Sequence, residues 1–142
     1  MQAKGKFKID AMAVIIVLAV AVLLFINRTG DIKVSFGDTN MRVHCQFRKD
    51  LSIPYEDIVS SELREGMEFG SRENAFASRR LLMGYFKSEE FGEYILYTYA
   101  QKDSQIVMHM KNGTVIALGG EDKAQTVELY NTLLEKTAAD PA

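Results

Sequence analysis

Met41–Phe47 reads Met-Arg-Val-His-Cys-Gln-Phe, and its alternation decides the fold class. Met41, Val43, Cys45 and Phe47 fall on one side, while Arg42, His44, Gln46 and the following Arg48 fall on the other. A period of two is the mark of a strand with one face buried. Just before it, Ile32–Phe36 alternates in the same way, and Gly37-Asp38-Thr39-Asn40 between the two reads as a hairpin turn. Further strands are expected over Ile58–Arg64, Leu81–Phe86, Tyr94–Tyr99, Ile106–Met110 and Val115–Leu118. The richest in β-formers is Tyr94–Tyr99, and the last two flank an Asn112-Gly113 hairpin signal. That makes about seven strands with antiparallel connections.

After Gly119-Gly120 the period changes. Asp122 can cap a helix with Gln125 three positions on, and Val127, Tyr130, Leu133 and Leu134 form one apolar stripe. The helix is expected to end near Lys136-Thr137, leaving 138–142 as a frayed tail. The fold expected from these signs is mainly β with one C-terminal α-helix, a small antiparallel sandwich or open barrel over 31–137.

Toward the N-terminus, Ala11–Ile26 is sixteen residues without a polar side chain. Ile9 extends the run past Asp10. The reading predicts one transmembrane helix over 9–27, acting as a signal anchor behind a basic segment at 1–8. Lys4, Lys6, Lys8 and Arg28 are the expected membrane-interface anchors. A removable signal peptide is the rival, but the end of the block lacks the small residues of a cleavage site. The excess of Lys before the block over the cations after it places the N-terminus in the cytoplasm and the domain outside, on the cell membrane.

Overall the chain has 142 residues, 25% of them charged, and a net charge of −2. Residues 27–142 hold 14 Lys and Arg against 18 Asp and Glu, so this part stands at −4. Such a balance argues against nucleic acid as partner. One cysteine excludes an internal disulfide framework and a cysteine-built zinc site. No nucleophile-elbow, phosphate-loop or dinucleotide motif occurs, so neither a catalytic residue nor a cofactor is expected. His44 and His109 have no clustered ligand partners, so no metal is expected. Glu89, Glu90 and Glu93 read as a solvated turn, and Gly119-Gly120 as a helix start satisfied by Asp122.

The order of elements, with several phrases, resembles the bacterial pleckstrin-homology-like domains of small membrane-anchored proteins. The phrases are Ile53-Pro54-Tyr55-Glu56-Asp57-Ile58, Arg72-Glu73-Asn74-Ala75-Phe76, Gly84-Tyr85-Phe86, the strand Tyr94–Tyr99 and the helix from Asp122. They span roughly residues 32–136. The resemblance implies seven strands in two nearly orthogonal antiparallel sheets, plugged at one end by the helix. It also implies binding or assembly rather than catalysis. This chain has Asn74-Ala75-Phe76 where such domains often have Asn-Gly-Phe. Its first hairpin turn, Gly37–Asn40, carries no cation, so phosphoinositide binding is not inherited.

The segment Arg64–Arg80 is long for a strand connection, and long loops on rigid β scaffolds carry binding residues. Arg64, Arg72, Asn74, Phe76, Arg79 and Arg80 are its candidate partner-binding residues, because guanidinium groups beside aromatics suit a peptide or a carboxylate. The competing reading folds Phe69 and Phe76 inward as a lid and pairs the arginines with neighbouring Glu. The functional expectation is a non-enzymatic membrane protein displaying a module that engages a protein partner or itself. The alternative is a tethered domain that binds a membrane surface or lipid.

Overall fold

A computed structural model describes residues 10–28, 30–46 and 48–138, with backbone only at 27 and 28. Helix α1 (Ala11–Arg28) comes first, followed by nine strands. These are β1 (Ile32–Phe36), β2 (Asn40–Cys45), β3 (Leu51–Pro54), β4 (Ile58–Arg64), β5 (Ser71–Ala77), β6 (Leu81–Ser88), β7 (Gly92–Tyr99), β8 (Gln105–Met110) and β9 (Val115–Gly119). A 3₁₀ turn (Tyr55–Asp57) links β3 to β4, and α2 (Lys123–Ala138) closes the chain.

Two sheets form, a small one ordered β1-β2-β3 and a large one ordered β4-β8-β9-β7-β6-β5. This corrects the expected seven-stranded, all-antiparallel, pleckstrin-homology-like arrangement. The two additional strands are β3 and β5. β3 has only four residues, and Ser-Arg-Glu-Asn at the start of β5 carries no apolar alternation. The third difference is a parallel pair, β7 beside β9. It arises because the chain leaving β7 passes over the place of β9 to begin β8, and the β8–β9 hairpin then fills the gap. Gln101 braces that crossover. Its amide nitrogen donates to Ser104 O and Gly120 O, both at 3.0 Å, and its oxygen accepts from Asp103 N–H at 2.7 Å.

Both faces of the large sheet are covered. On one, Leu81, Met83, Tyr97, Tyr99, Met108 and Leu118 meet Met41, Val43, Cys45 and Ile53 of the small sheet and Leu133 of α2. On the other, Phe86, Tyr94, Leu96 and Val107 lie beneath Met67 and Phe69 of the 65–70 segment. Central strands buried on both sides lose their alternation, and all five residues of β9 are buried. Gly70 lets the covering segment pass: at its φ of +81° an added Cβ would collide with the Lys87 carbonyl. Gly84 does the same for β5, since a Cβ there would lie 2.6 Å from Asn74 O.

Helix α1 corrects the membrane expectation. Asp10 caps it, its carboxylate accepting Met12 N–H at 3.2 Å and its carbonyl Val14 N–H at 3.1 Å. The helix therefore starts at Ala11, and its apolar run ends at Ile26. Sixteen residues give about 24 Å of apolar length against a hydrocarbon core of about 30 Å. Among the described residues no helix is long and apolar enough to cross a membrane. The transmembrane helix over 9–27, the single-pass cell-membrane location, the orientation derived from it and the membrane as a spanned partner are thereby withdrawn. Lys4, Lys6 and Lys8 lie outside the described residues, as do residues 139–142 of the expected tail, and Arg28 closes α1.

Candidate functional site

The segment expected to bind a partner is not one loop. After residues 65–70 it becomes β5, and a short bend at 78–80 leads into β6. Phe69 is buried against the large sheet, its carbonyl accepting the Tyr94 hydroxyl at 2.8 Å, and Phe76 packs against the main core. Arg72 and Asn74 stand exposed on β5, on either side of a bulge at Glu73, and Arg79 is exposed in the bend.

Arg64 and Arg80 are engaged in separate places. Arg64, at the end of β4, grips Glu90 with two hydrogen bonds of 2.8 Å, reaches Glu62 at 3.3 Å and lies over the Phe91 ring. The guanidinium holds the Glu90 carboxyl below its usual range, against a smaller opposing effect of desolvation. Arg80 donates from Nε to Gly30 O at 2.8 Å and from Nη2 to Asp31 at 2.8 Å and Glu121 at 3.2 Å. It stacks 4.9 Å from the centre of the Tyr99 ring. That bond to Arg80 lowers the Asp31 carboxyl. Arg80 thus clasps the junction between α1 and the β domain. Of the six candidates, Arg72, Asn74 and Phe76 share β5, while Arg64 and Arg80 do not converge with each other.

The remaining sequence candidates are also placed. Cys45 is buried. His44 points away from it and meets Asp50 at 2.6 Å, whereas His109 lies edge-on to Phe91. At the start of α2, Gln125 N–H donates to the Asp122 carboxylate, Glu121 N–H to the Gln125 side-chain oxygen, and Gly120 N–H to the Thr126 hydroxyl.

Two surfaces stand out that the alternation pattern does not mark. The first is α1, whose large apolar side chains from Met12 to Phe25 are 40% to 67% exposed. The second is a groove under the outer edge of β3. At one end it is a cleft of about 510 Å³ between Arg48–Leu51 and the floor residues Tyr85, Ile95 and Tyr97. At the other it continues as about 330 Å³ between Ser52, Pro54 and the floor residues Ile95, Met110 and Ile116. Ile95 lines both, so the two clefts adjoin along the strand. Arg48 lines this cleft beside Tyr97, and the neighbouring Lys49 is exposed. A sequence signal for this edge exists in Pro54, because proline in a short apolar stretch marks a strand with one unpaired side. No family model, curated protein or solved structure matches the chain.

Proposed function

We propose that the protein is a non-catalytic assembly module that engages further copies of itself through α1 and so displays several β domains together. The observation that carries this reading is the uncovered apolar surface of α1. At roughly 100 Å² each, its eleven exposed large apolar side chains present on the order of 1,000 Å² to solvent. The largest apolar patch on a typical monomer is roughly 300–600 Å². A stable interface needs about 800 Å² from each partner. A helix apolar on every face is stable only when surrounded, so one neighbour is insufficient and the expected state is a trimer or larger. The ionisable groups with shifted carboxyls, Asp31 and Glu90, are occupied in arginine pairs, which supports a binding role over general acid–base chemistry.

Sedimentation of the full chain across a range of concentrations tests the reading. Association that disappears when Val17→Asp and Leu24→Asp are introduced together supports it. A wild-type chain that stays monomeric in aqueous buffer, or that enters lipid vesicles as monomers, refutes it.

A further inference from the structure

β3 is paired on one side only. β2 is its partner, and among the described residues no strand lies along its other edge. The phase of the ladder determines which groups that edge presents. Tyr55 N–H donates to Thr39 O, and Gly37 N–H donates to Asn40 O. In an antiparallel ladder the N–H and C=O of one residue turn to the same side, and successive residues alternate. Ile53 opposite Met41 and Leu51 opposite Val43 therefore bond to β2. Ser52 turns its N–H and C=O outward, and Pro54 turns its C=O outward. An independent check comes from β1, where the same phase turns Ile32 away from β2. Its N–H there meets the Tyr99 hydroxyl at 3.0 Å.

The outward groups stand over the groove, whose two clefts follow β3 from Arg48 to Pro54. Its floor has an apolar, partly open strip, with Tyr85 41% exposed and Ile95 and Met110 half-buried, and at the far end the polar Asp57, Lys111, Asn112 and Thr114 border it. Its near end holds Arg48 and Lys49 together with Asp50, whose carboxylate is held by His44 at 2.6 Å, so the two cations outnumber the one acid. An unpaired ladder edge selects an extended backbone. The apolar floor selects alternate apolar side chains, and the cations select a carboxylate.

We propose that β3 takes up an extended segment of a partner protein as the fourth strand of the small sheet. Alternate apolar side chains of that segment rest on Tyr85, Ile95 and Met110, and an acidic residue or terminal carboxylate sits at Arg48 and Lys49. A second copy of β3 fits less well. Leu51 and Ile53 belong to its own core, leaving only Ser52 and Pro54 to offer to the floor. This site is distinct from α1, and binding to it is read whether or not copies associate.

The test is fluorescence anisotropy of the full chain with a labelled probe peptide. The probe is about eight residues long, enough to span the groove. It alternates valine and threonine and ends in two aspartates. Saturable binding is expected. Methylating the amide nitrogens that face β3 removes the ladder donors and is expected to weaken binding about tenfold or more. Replacing the two aspartates by lysines is expected to weaken it about fivefold at low salt, a difference that shrinks at high salt. Arg48→Glu with Lys49→Glu should reverse the preference between the two peptides. Ser52→Pro deletes an outward N–H that β2 does not use, together with the exposed bond from Asn40 Nδ2 to Ser52 Oγ, which Ser52→Ala also removes. Relative to Ser52→Ala it should weaken binding about tenfold with little further change in Tm. Equal binding of methylated and parent peptides overturns the proposal, as does indifference to the charge exchange. Absence of saturable binding, or a dimer of the peptide-free protein that Ser52→Pro abolishes, also overturns it.

Discussion

Replacing Tyr99 by Phe removes the hydroxyl whose hydrogen bonds tie the small sheet to the large one. The Tyr99 side chain is 6% exposed, with its ring in the main core and Arg80 stacked over it. Its hydroxyl accepts the N–H of Ile32, the first residue of β1, at 3.0 Å. Its own donation is weaker, to Asp31 at 3.3 Å or Ile32 O at 3.4 Å. Phenylalanine keeps the ring, the buried area and the stacking. What is lost is the acceptor for a buried N–H, and Ile32 is only 9% exposed. An orphaned buried donor costs about 1–3 kcal/mol, a large part of a total stability of about 5–15 kcal/mol. Tyr94→Phe is the control. It deletes a donor to the Phe69 carbonyl, and buried carbonyls tolerate under-satisfaction better than N–H groups, so about 1 kcal/mol is expected. Urea unfolding followed by far-ultraviolet circular dichroism at one protein concentration reads both, since association would shift apparent stability. With an m-value of about 1–1.5 kcal/mol/M, Tyr99→Phe should lower the midpoint by about 1–2 M without changing m. A midpoint within experimental error of wild type, or a smaller loss than in Tyr94→Phe, would refute the anchoring role of the hydroxyl.

Alkaline unfolding should report the buried tyrosines. Burial pushes the Tyr94 hydroxyl from its ordinary 10.0 up to about 12. Tyr97 and Tyr99 shift in the same direction, mainly through burial. The unfolded chain ionises first, so stability is intact below pH 10 and falls as pH rises toward about 12. Tyr94→Phe should flatten that fall, and an unchanged slope in the variant contradicts the assignment. At the acid end, a carbon-13 titration should place the Glu90 carboxyl below its model-peptide value of 4.5. Its contribution is present above that value and lost as pH falls through the depressed one. Arg64→Met should return the midpoint to the ordinary range; persistence of the low value would mean that Arg64 is not its cause.

How much could be read beforehand depends on what each element packs against. β1 and β2 alternate because only one of their faces is buried, and Met41, Val43 and Cys45 enter the core as the period of two requires. The helix start at Asp122 was legible because capping is local chemistry, made by residues three apart. β5 was not legible. Its place is set by Gly84 on a neighbouring strand and by a bulge at Glu73, neither of which leaves a pattern in Ser71–Ala77 itself. The parallel β7–β9 pair was equally hidden, because the Asn112-Gly113 turn specifies a hairpin but not where that hairpin is inserted. For α1 the apolar content was evident, and the limit on its length came from Asp10, which ends the run by capping instead of interrupting it. The groove escaped notice because its two walls come from residues 48–54 and from strands at least thirty positions later.

The treatment of the four sheet edges explains why β3 carries the binding proposal and the Arg64–Arg80 segment does not. An unpaired edge invites further strands, and folded proteins cover, charge, bulge or shorten it. β1 packs against α2 and sends its first N–H to Tyr99. β4 is irregular between Ile58 and Ser60, and the Tyr130 hydroxyl of α2 donates to its Ser61 O at 3.3 Å. β5 is bulged at Glu73 and presents Arg72 and Glu73, two devices that resist an added strand. β3 is protected only by brevity and by Pro54 at its far end. Proline stops pairing at that end while leaving Ser52 open over an apolar floor. The arginines of the long segment meanwhile serve the fold: Arg80 fixes the α1 junction and Arg64 fixes the turn at Glu90. Edge protection therefore leaves β3 as the strand edge best able to accept a partner, and a short, proline-terminated strand limits that partner to a few residues in one register.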